Sequence, residues 1–290
     1  MRKPLAAPDV RRIVKDLLPP LVLRGVGALK TLGAGRFRFT GPYPTWEEAT
    51  AHASGYDEAG ILERVAAATR AVVRGEAAFE RDSVLFREAE HPYPLLAVFL
   101  RAALESGGKL CVLDFGGSLG SVYHQCRPFL RGVTTLRWSV VEQSSYVECG
   151  QREFQTDELG FFRTIEESLE AGRPDVVLLS SVLQYLPDPQ MVARKIATAA
   201  PGFVVVDRTP VRDGAEDTIV VQHVPASIYA ASYPCRIFSR DTLGRMFGGD
   251  YRRVCYFDTL RFEALERALN ARYEGWIFEH SGSHHPIAQP

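Results

Sequence analysis

The sequence predicts an α/β fold in which helices cover both faces of a doubly wound, largely parallel sheet. Three observations carry this expectation. Near-continuous Val/Leu runs stand at 112–113, 176–179 and 203–206, as strands covered on both faces require. Segments of helical spacing alternate with them, and parallel strands need such crossovers. The first run ends in Asp114-Phe115-Gly116-Gly117-Ser118-Leu119-Gly120, a strand–glycine loop–helix junction. Glycine has no Cβ and tolerates positive φ, so a ligand can approach the backbone closely there.

From the N-terminus, residues 1–40 form a basic amphipathic segment. Arg2, Lys3, Arg11, Arg12, Lys15, Arg24, Lys30, Arg36 and Arg38 are opposed only by Asp9 and Asp16. Such a segment suits a helix packed on the main domain with a solvated basic face. It also suits contact with an anionic membrane surface or lipid carrier. Residues 41–90 read as a helical cap. Thr45 is its first N-cap with Glu48 completing a capping box, 61–73 carries helical spacing, and 79–86 continues the cap. Tyr43, Trp46 and Tyr56 offer aromatic surface to a sugar or aromatic substrate, or simply pack.

The main domain spans 91–290. A helix over 95–104 leads into the first strand, and a second strand at 136–142 ends in Glu142. A helix at 144–154, a short strand at 161–163, a strand at 174–181, a helix at 189–199 and a strand at 203–207 follow. An insertion at about 209–238 separates the fifth strand from a helix capped by Ser239. Strands at 252–257 and 274–280 complete seven. Several limits come from composition. A net charge of -1 excludes a chain-wide nucleic-acid surface. Five cysteines without metal or C-x-x-C spacing fit a reducing cytoplasm, and no apolar run nears the roughly 20 residues of a membrane span.

The glycine loop departs from G-x-G-x-x-G and lacks the Lys-Ser/Thr of a P-loop. An acid ahead of the glycines suits a cofactor bearing a positive amino group, which points to S-adenosylmethionine. Glu142, at the tip of the second strand, has the position and chemistry to accept from both ribose hydroxyls. An NAD-linked oxidoreductase is the weaker alternative.

Asp114 to Gly120, Glu142 and the segment Ser180-Ser181-Val182-Leu183-Gln184-Tyr185-Leu186-Pro187-Asp188 together resemble class I SAM-dependent methyltransferases over residues 92–280. More narrowly, the chain resembles a bacterial methyltransferase family often encoded with surface-polysaccharide genes. The residues behind that likeness include the 41–49 stretch, Gly55-Tyr56-Asp57, Asp207-Arg208-Thr209-Pro210 and Ser232-Tyr233-Pro234. The resemblance implies a Rossmann-like, seven-stranded sheet whose last strand runs antiparallel. It implies cofactor contacts from Asp114, Gly116, Gly117, Ser118, Gly120, Glu142, Gln143, Ser181 and Val182. Thr164 stands where relatives hold the adenine ring, and it equally suits a helix N-cap.

The expected reaction is O-methylation of a sugar or glycan precursor. Alternatives are small-molecule methylation in secondary metabolism and a catalytically silent SAM-binding protein. An alcohol acceptor needs a base, and His223 in the insertion is the favoured candidate, with Asp207 and Tyr185 competing. Arg208 suits a clamp on an anionic group, or a partner for Asp213 or Asp217. Tyr229 and Tyr233 are expected to border the acceptor pocket. No metal site is legible.

Overall fold

The computed structural model describes residues 37–55, 58–225, 231–259 and 262–283. The basic segment therefore lies outside the described residues up to residue 36, as do Tyr56 and Tyr229. Five parallel strands form the centre of the sheet: β4 (Lys109–Phe115), β5 (Thr135–Val141), β6 (Leu159–Phe162), β7 (Val176–Ser180) and β8 (Phe203–Arg212). Their spatial order is β6-β5-β4-β7-β8. Against β8 lies β12 (Ala271–His280), antiparallel as the resemblance implied, and β11 (Tyr251–Asp258) pairs outside it. These seven strands form a Rossmann-like sheet.

Strand alternation divides the core. Leu110 and Val112 of β4, Trp138 and Val140 of β5, and Phe203 and Val205 of β8 turn to one face. They pack there against α2 (Glu58–Val73), α3 (Tyr93–Glu105), α4 (Ser121–Cys126) and α5 (Ser144–Glu153). Leu113, Val141, Val204 and Val206 turn to the other, under α6 (Ile165–Glu170), α7 (Pro189–Ala199) and α8 (Arg240–Gly244). A further small helix, α9 (Glu263–Leu269), supports the start of β12. Because both faces are covered, β7 reads Val-Val-Leu-Leu-Ser with all five residues buried.

The sheet continues beyond the predicted seven strands. The insertion folds into β9 (Thr218–Val224) and β10 (Ala231–Ser239), and β1 (Arg38–Tyr43) pairs with β9, making ten strands in all. β10 joins β8 in parallel only at Phe238↔Val211 and Ser239↔Arg212. β8 thus runs five residues past the end predicted for it, and its edge passes from β7 to β10.

The cap expected to be helical is mixed. Thr45 does cap a helix, α1 (Trp46–Ala51), accepting from the Glu48 N–H at 3.2 Å. Residues 79–86, however, form the hairpin β2 (Phe79–Arg81) and β3 (Val84–Phe86). Asp82 and Ser83 both take positive φ (51° and 63°), the tight-turn geometry that matches strand twist. Phe79 and Phe86 stack across the pair with centroids 4.5 Å apart. Among the described residues no helix is long and apolar enough to cross a membrane.

Gly150 of α5 tests this packing. Alanine in a helix normally gains about 1 kcal/mol over glycine. Here a Cβ would lie 2.4 Å from Cδ1 of the buried Phe161 ring. Overpacking costs about 1–3 kcal/mol, so Gly150→Ala is expected to lower the urea midpoint; a raised midpoint would refute the close α5–β6 contact.

Candidate functional site

The polar residues of the sheet gather where β4, β5 and β7 end and at the middle of β8. Gly116 (φ +74°) turns the chain after β4 and donates its N–H to the Val141 carbonyl at 2.9 Å. A Cβ there would stand 2.5 Å from Cγ2 of Val182. At Gly117 the Cβ would meet Cγ of Asp114, also at 2.5 Å. A side chain at either glycine would collide within the protein, at Gly116 with Val182 and at Gly117 with Asp114. Ser118 (φ +56°) and Gly120 (φ +86°) complete the turn into α4.

Asp114 is fully buried. Its Oδ2 accepts from Trp138 Nε1 at 3.1 Å, while Oδ1 has no partner. Burial pushes its pKa up to about 7, opposed by the Trp138 bond and the Arg208 charge and reinforced by Glu142 and Asp207. The Glu142 carboxylate accepts from the backbone N–H of Gln143 at 2.8 Å, and from that of Ser118. Burial raises its pKa against those two bonds. The glycine loop therefore folds around Glu142. Gln143 is exposed, just ahead of α5.

Beyond β7, β8 carries a bulge. Val206 pairs with Trp276 and Thr209 with Glu274, so Asp207 and Arg208 together oppose the single residue Gly275. Bulges of this kind re-aim side chains. Arg208 takes φ +48°, uncommon for a residue with a Cβ. Its Nε and Nη2 donate to Ser180 Oγ at 3.2 and 3.1 Å, and Nε lies 3.3 Å from Asp207 Oδ2. Ser180 in turn donates to Asp207 at 2.6 Å. Asp213 and Asp217, the acids expected to compete for Arg208, pair instead with Arg240 and Arg236.

Ser181 (φ +58°) donates its N–H to the Asp207 carbonyl at 2.9 Å. Gln184, fully buried, donates from Nε2 to Ser181 Oγ and to the Arg208 carbonyl at 3.2 and 3.3 Å. Both amide hydrogens are used, and flipping the amide would set Oε1 against a carbonyl. Its Oε1 therefore keeps its orientation and has no partner. Thr164 is a helix cap, accepting from the Glu167 N–H at 3.1 Å.

Sequence reasoning missed Glu80. This β2 carboxylate is 5% exposed, accepts from the Ser121 hydroxyl at the start of α4, and accepts from Ser83 N–H at 3.1 Å. Burial raises its pKa, helped by Asp82 and opposed by Ser121, Ser83 and Arg208. The hairpin is thereby held to the start of α4. Its turn, Asp82-Ser83 between Arg81 and Val84, has no glycine to mark it in the sequence.

The other catalytic and acceptor candidates divide between the two faces of the β1-β9-β10 sheet. Tyr185 donates to Gln222 at 3.4 Å and meets the Tyr233 ring edge-on at 5.1 Å. Burial drives its hydroxyl pKa well up, which opposes a role as base. His223, the next residue after Gln222, turns to the opposite face. There its Nε2 lies 3.0 Å from Thr40 Oγ1, and burial and Arg38 lower its pKa. The structure does not bring His223 to the Asp207 cluster. Tyr43 joins it through Thr40, at 3.4 Å, and stacks obliquely on His52. Trp46 lies under the Arg236 guanidinium, 5.7 Å from its ring centroid. Among the described residues no three His, Cys, Asp or Glu side chains are grouped to hold a metal.

No protein-family model matches the chain, and no curated protein matches it. Among solved structures, it is similar to SAM-bound CalS10, an amino pentose methyltransferase from Micromonospora echinaspora. That match has 12% identity and a TM-score of 0.43, covering 73% of this chain and 96% of the other. The N-terminal domain of EvdMO1, in the presence of SAH and D-fucose, matches at 12% and 0.43, covering 73% and 95%. The [4+2]-cyclase SpnF matches at 12% and 0.45, covering 84% and 98%.

Asp114 carries a pH signature. Its folded pKa near 7 exceeds the ordinary 3.8, so the folded state holds a proton that the unfolded chain has lost. Its contribution is full below about pH 4 and is lost as pH rises towards about 7. Urea unfolding of wild type and Asp114→Asn across that window reads this directly. The wild type is expected to lose stability relative to the variant as pH rises; parallel curves would contradict the burial of an unpaired carboxyl.

Proposed function

We propose that this chain is an S-adenosylmethionine-dependent methyltransferase acting on a sugar or glycan precursor. The observation that carries the reading is the acid pair at neighbouring strand tips. Asp114 presents an unpartnered buried acceptor beside the glycine loop, and Glu142 ends the next strand. A buried acceptor without a donor is costly, and the amino group of S-adenosylmethionine would supply one. Glu142 would take the ribose hydroxyls, with its carboxylate already oriented by two backbone N–H groups. The donor set fits the group.

When bound, the cofactor supplies an electrophilic methyl on a positively charged sulfur. The protein's task is then to align an acceptor and exclude water. Val182 packs against Gly116 and would give a bound cofactor an apolar neighbour beside the loop. With His223 on the other sheet face and Tyr185 held protonated, Asp207 is the remaining candidate to take a hydroxyl proton. Ser180 and Arg208 fix its orientation. Among the described residues no histidine contacts the Asp207 carboxylate, and that favours a second reading, a silent SAM-binding protein.

Calorimetric titration with S-adenosylhomocysteine, with NAD as control, tests the cofactor. Binding of the former alone is expected, and Glu142→Ala should weaken it by about 1–3 kcal/mol. Binding by NAD alone, or by neither on folded protein, would end the methyltransferase reading. Binding with no turnover across nucleotide sugars and lipid-linked glycans would favour the silent reading.

A further inference from the structure

Two non-glycine residues in the left-handed region stand side by side on neighbouring strands. Ser181 (φ +58°) and Arg208 (φ +48°) each follow one member of the pair Ser180↔Asp207. Such conformations persist only where the surroundings hold them, and they gather at functional sites. Here one side chain holds both. Gln184 Nε2 donates to Ser181 Oγ at 3.2 Å and to the Arg208 carbonyl at 3.3 Å. The clasp uses the amide hydrogens and leaves the oxygen over. Gln184 Oε1, turned away from that carbonyl, is buried without a donor. An unpaired buried acceptor is costly, and nothing in the clasp requires it.

The same turn reaches the glycine loop. Val182 packs on Gly116, where a Cβ would stand 2.5 Å from its Cγ2. Gly116 in turn donates to the Val141 carbonyl, next to Glu142. Residues 181–184 therefore bridge the loop proposed to hold the cofactor and the Asp207 carboxylate proposed as base. Methyl transfer places the sulfonium between those two, aligned with the acceptor. A sulfonium is a cation without N–H or O–H groups, and its charge is spread over polarised C–H groups on the attached carbons. C–H···O contacts are individually weak, and a low local dielectric strengthens them. Such a cation calls for a fixed oxygen that no donor already occupies. A carboxylate there would itself compete for the electrophilic methyl. The Gln184 oxygen is neutral, oriented and unshared, whereas Asp207 is already bonded by Ser180 and Arg208.

We infer that Gln184 Oε1 recognises the sulfonium of S-adenosylmethionine, so that the protein distinguishes the charged cofactor from its neutral product. The inference rests on the methyltransferase reading and deepens it. The turn after β7 then has two duties, one for each end of a single amide. Its N–H groups hold the β8 bulge that carries Asp207, and its oxygen faces the charge that methyl transfer removes. Loss of that charge weakens the hold on S-adenosylhomocysteine and favours its release.

The experiment needs no acceptor. The full chain is titrated calorimetrically at neutral pH with S-adenosylmethionine, S-adenosylhomocysteine and sinefungin, in which a carbon bearing a protonated amine replaces the methylated sulfur. Wild type is expected to bind sinefungin about tenfold or more tighter than S-adenosylhomocysteine, the scale of a hydrogen bond to a charged group. Gln184→Met, similar in length, should lose several-fold in affinity for both cations relative to S-adenosylhomocysteine. A residue that is only a structural clasp would weaken all three ligands alike. Gln184→Glu keeps a carbonyl oxygen whether protonated or not, and should retain the preference for the cations. Sinefungin binding wild type no tighter than S-adenosylhomocysteine would overturn the inference, and that comparison requires no variant to fold. Unchanged ratios in Gln184→Met, or loss of the preference in Gln184→Glu, would overturn it equally. Failure of all three ligands to bind folded wild type would instead strike the underlying reading, so the two failures are distinguishable.

Discussion

The bulge in β8 is the constraint on which the site and the outer sheet both depend. Up to Asp207 the strand is paired with β7 and closes the parallel sheet; from Val211 it is paired with β10 and begins a second one. Between them, two residues oppose one on β12, and the left-handed turn at Arg208 absorbs the difference. A regular strand would send Asp207 and Arg208 to opposite faces. The extra residue lets both side chains reach Ser180. The non-glycine left-handed conformation carries a cost of roughly 1–2 kcal/mol, offset by three hydrogen bonds and an ion pair around one serine hydroxyl.

Burial of acids runs through the whole structure, and partners decide what each one does. Glu274 and Glu279 are as buried as Asp114, yet each is met by arginine: Arg240 in one case, Arg101 and Arg252 in the other. Those are structural pairs, tying β12 to α8, α3 and β11. At the strand tips the ratio inverts, with Arg208 alone among several carboxylates. Paired buried charge stabilises a fold locally; unpaired buried acceptors store a demand that a ligand can meet.

Much of this was legible in the sequence because the parallel sheet repeats one simple rule. Strands covered on both faces must be apolar throughout, and the runs at β4, β7 and β8 could be nothing else. The glycine loop and the two acids after β4 and β5 follow from spacing along one chain segment. The cap was harder. Phe79, Val84, Leu85 and Phe86 fit both helical and strand spacing over so short a stretch, and a turn of Asp-Ser lacks the glycine that marks most tight hairpins. His223 failed for a different reason. Its position in the insertion was foreseeable, but a one-residue step along a strand exchanges faces. Nothing local fixes which of Gln222 and His223 turns to Tyr185. That choice belongs to β1, some 180 residues earlier, through the pairing Phe39↔Gln222.

The pairing of β1 with β9 has a further consequence. The outer sheet is assembled from chain segments that flank the entire parallel core, so neither half is complete without the other. Exchanging the insertion alone between related chains would leave β9 without its neighbour and expose a row of backbone donors and acceptors along its edge. Recombination that respects this architecture must move the two pieces together. The outer sheet of such a chain is inherited as a split unit, with the core carried between its halves.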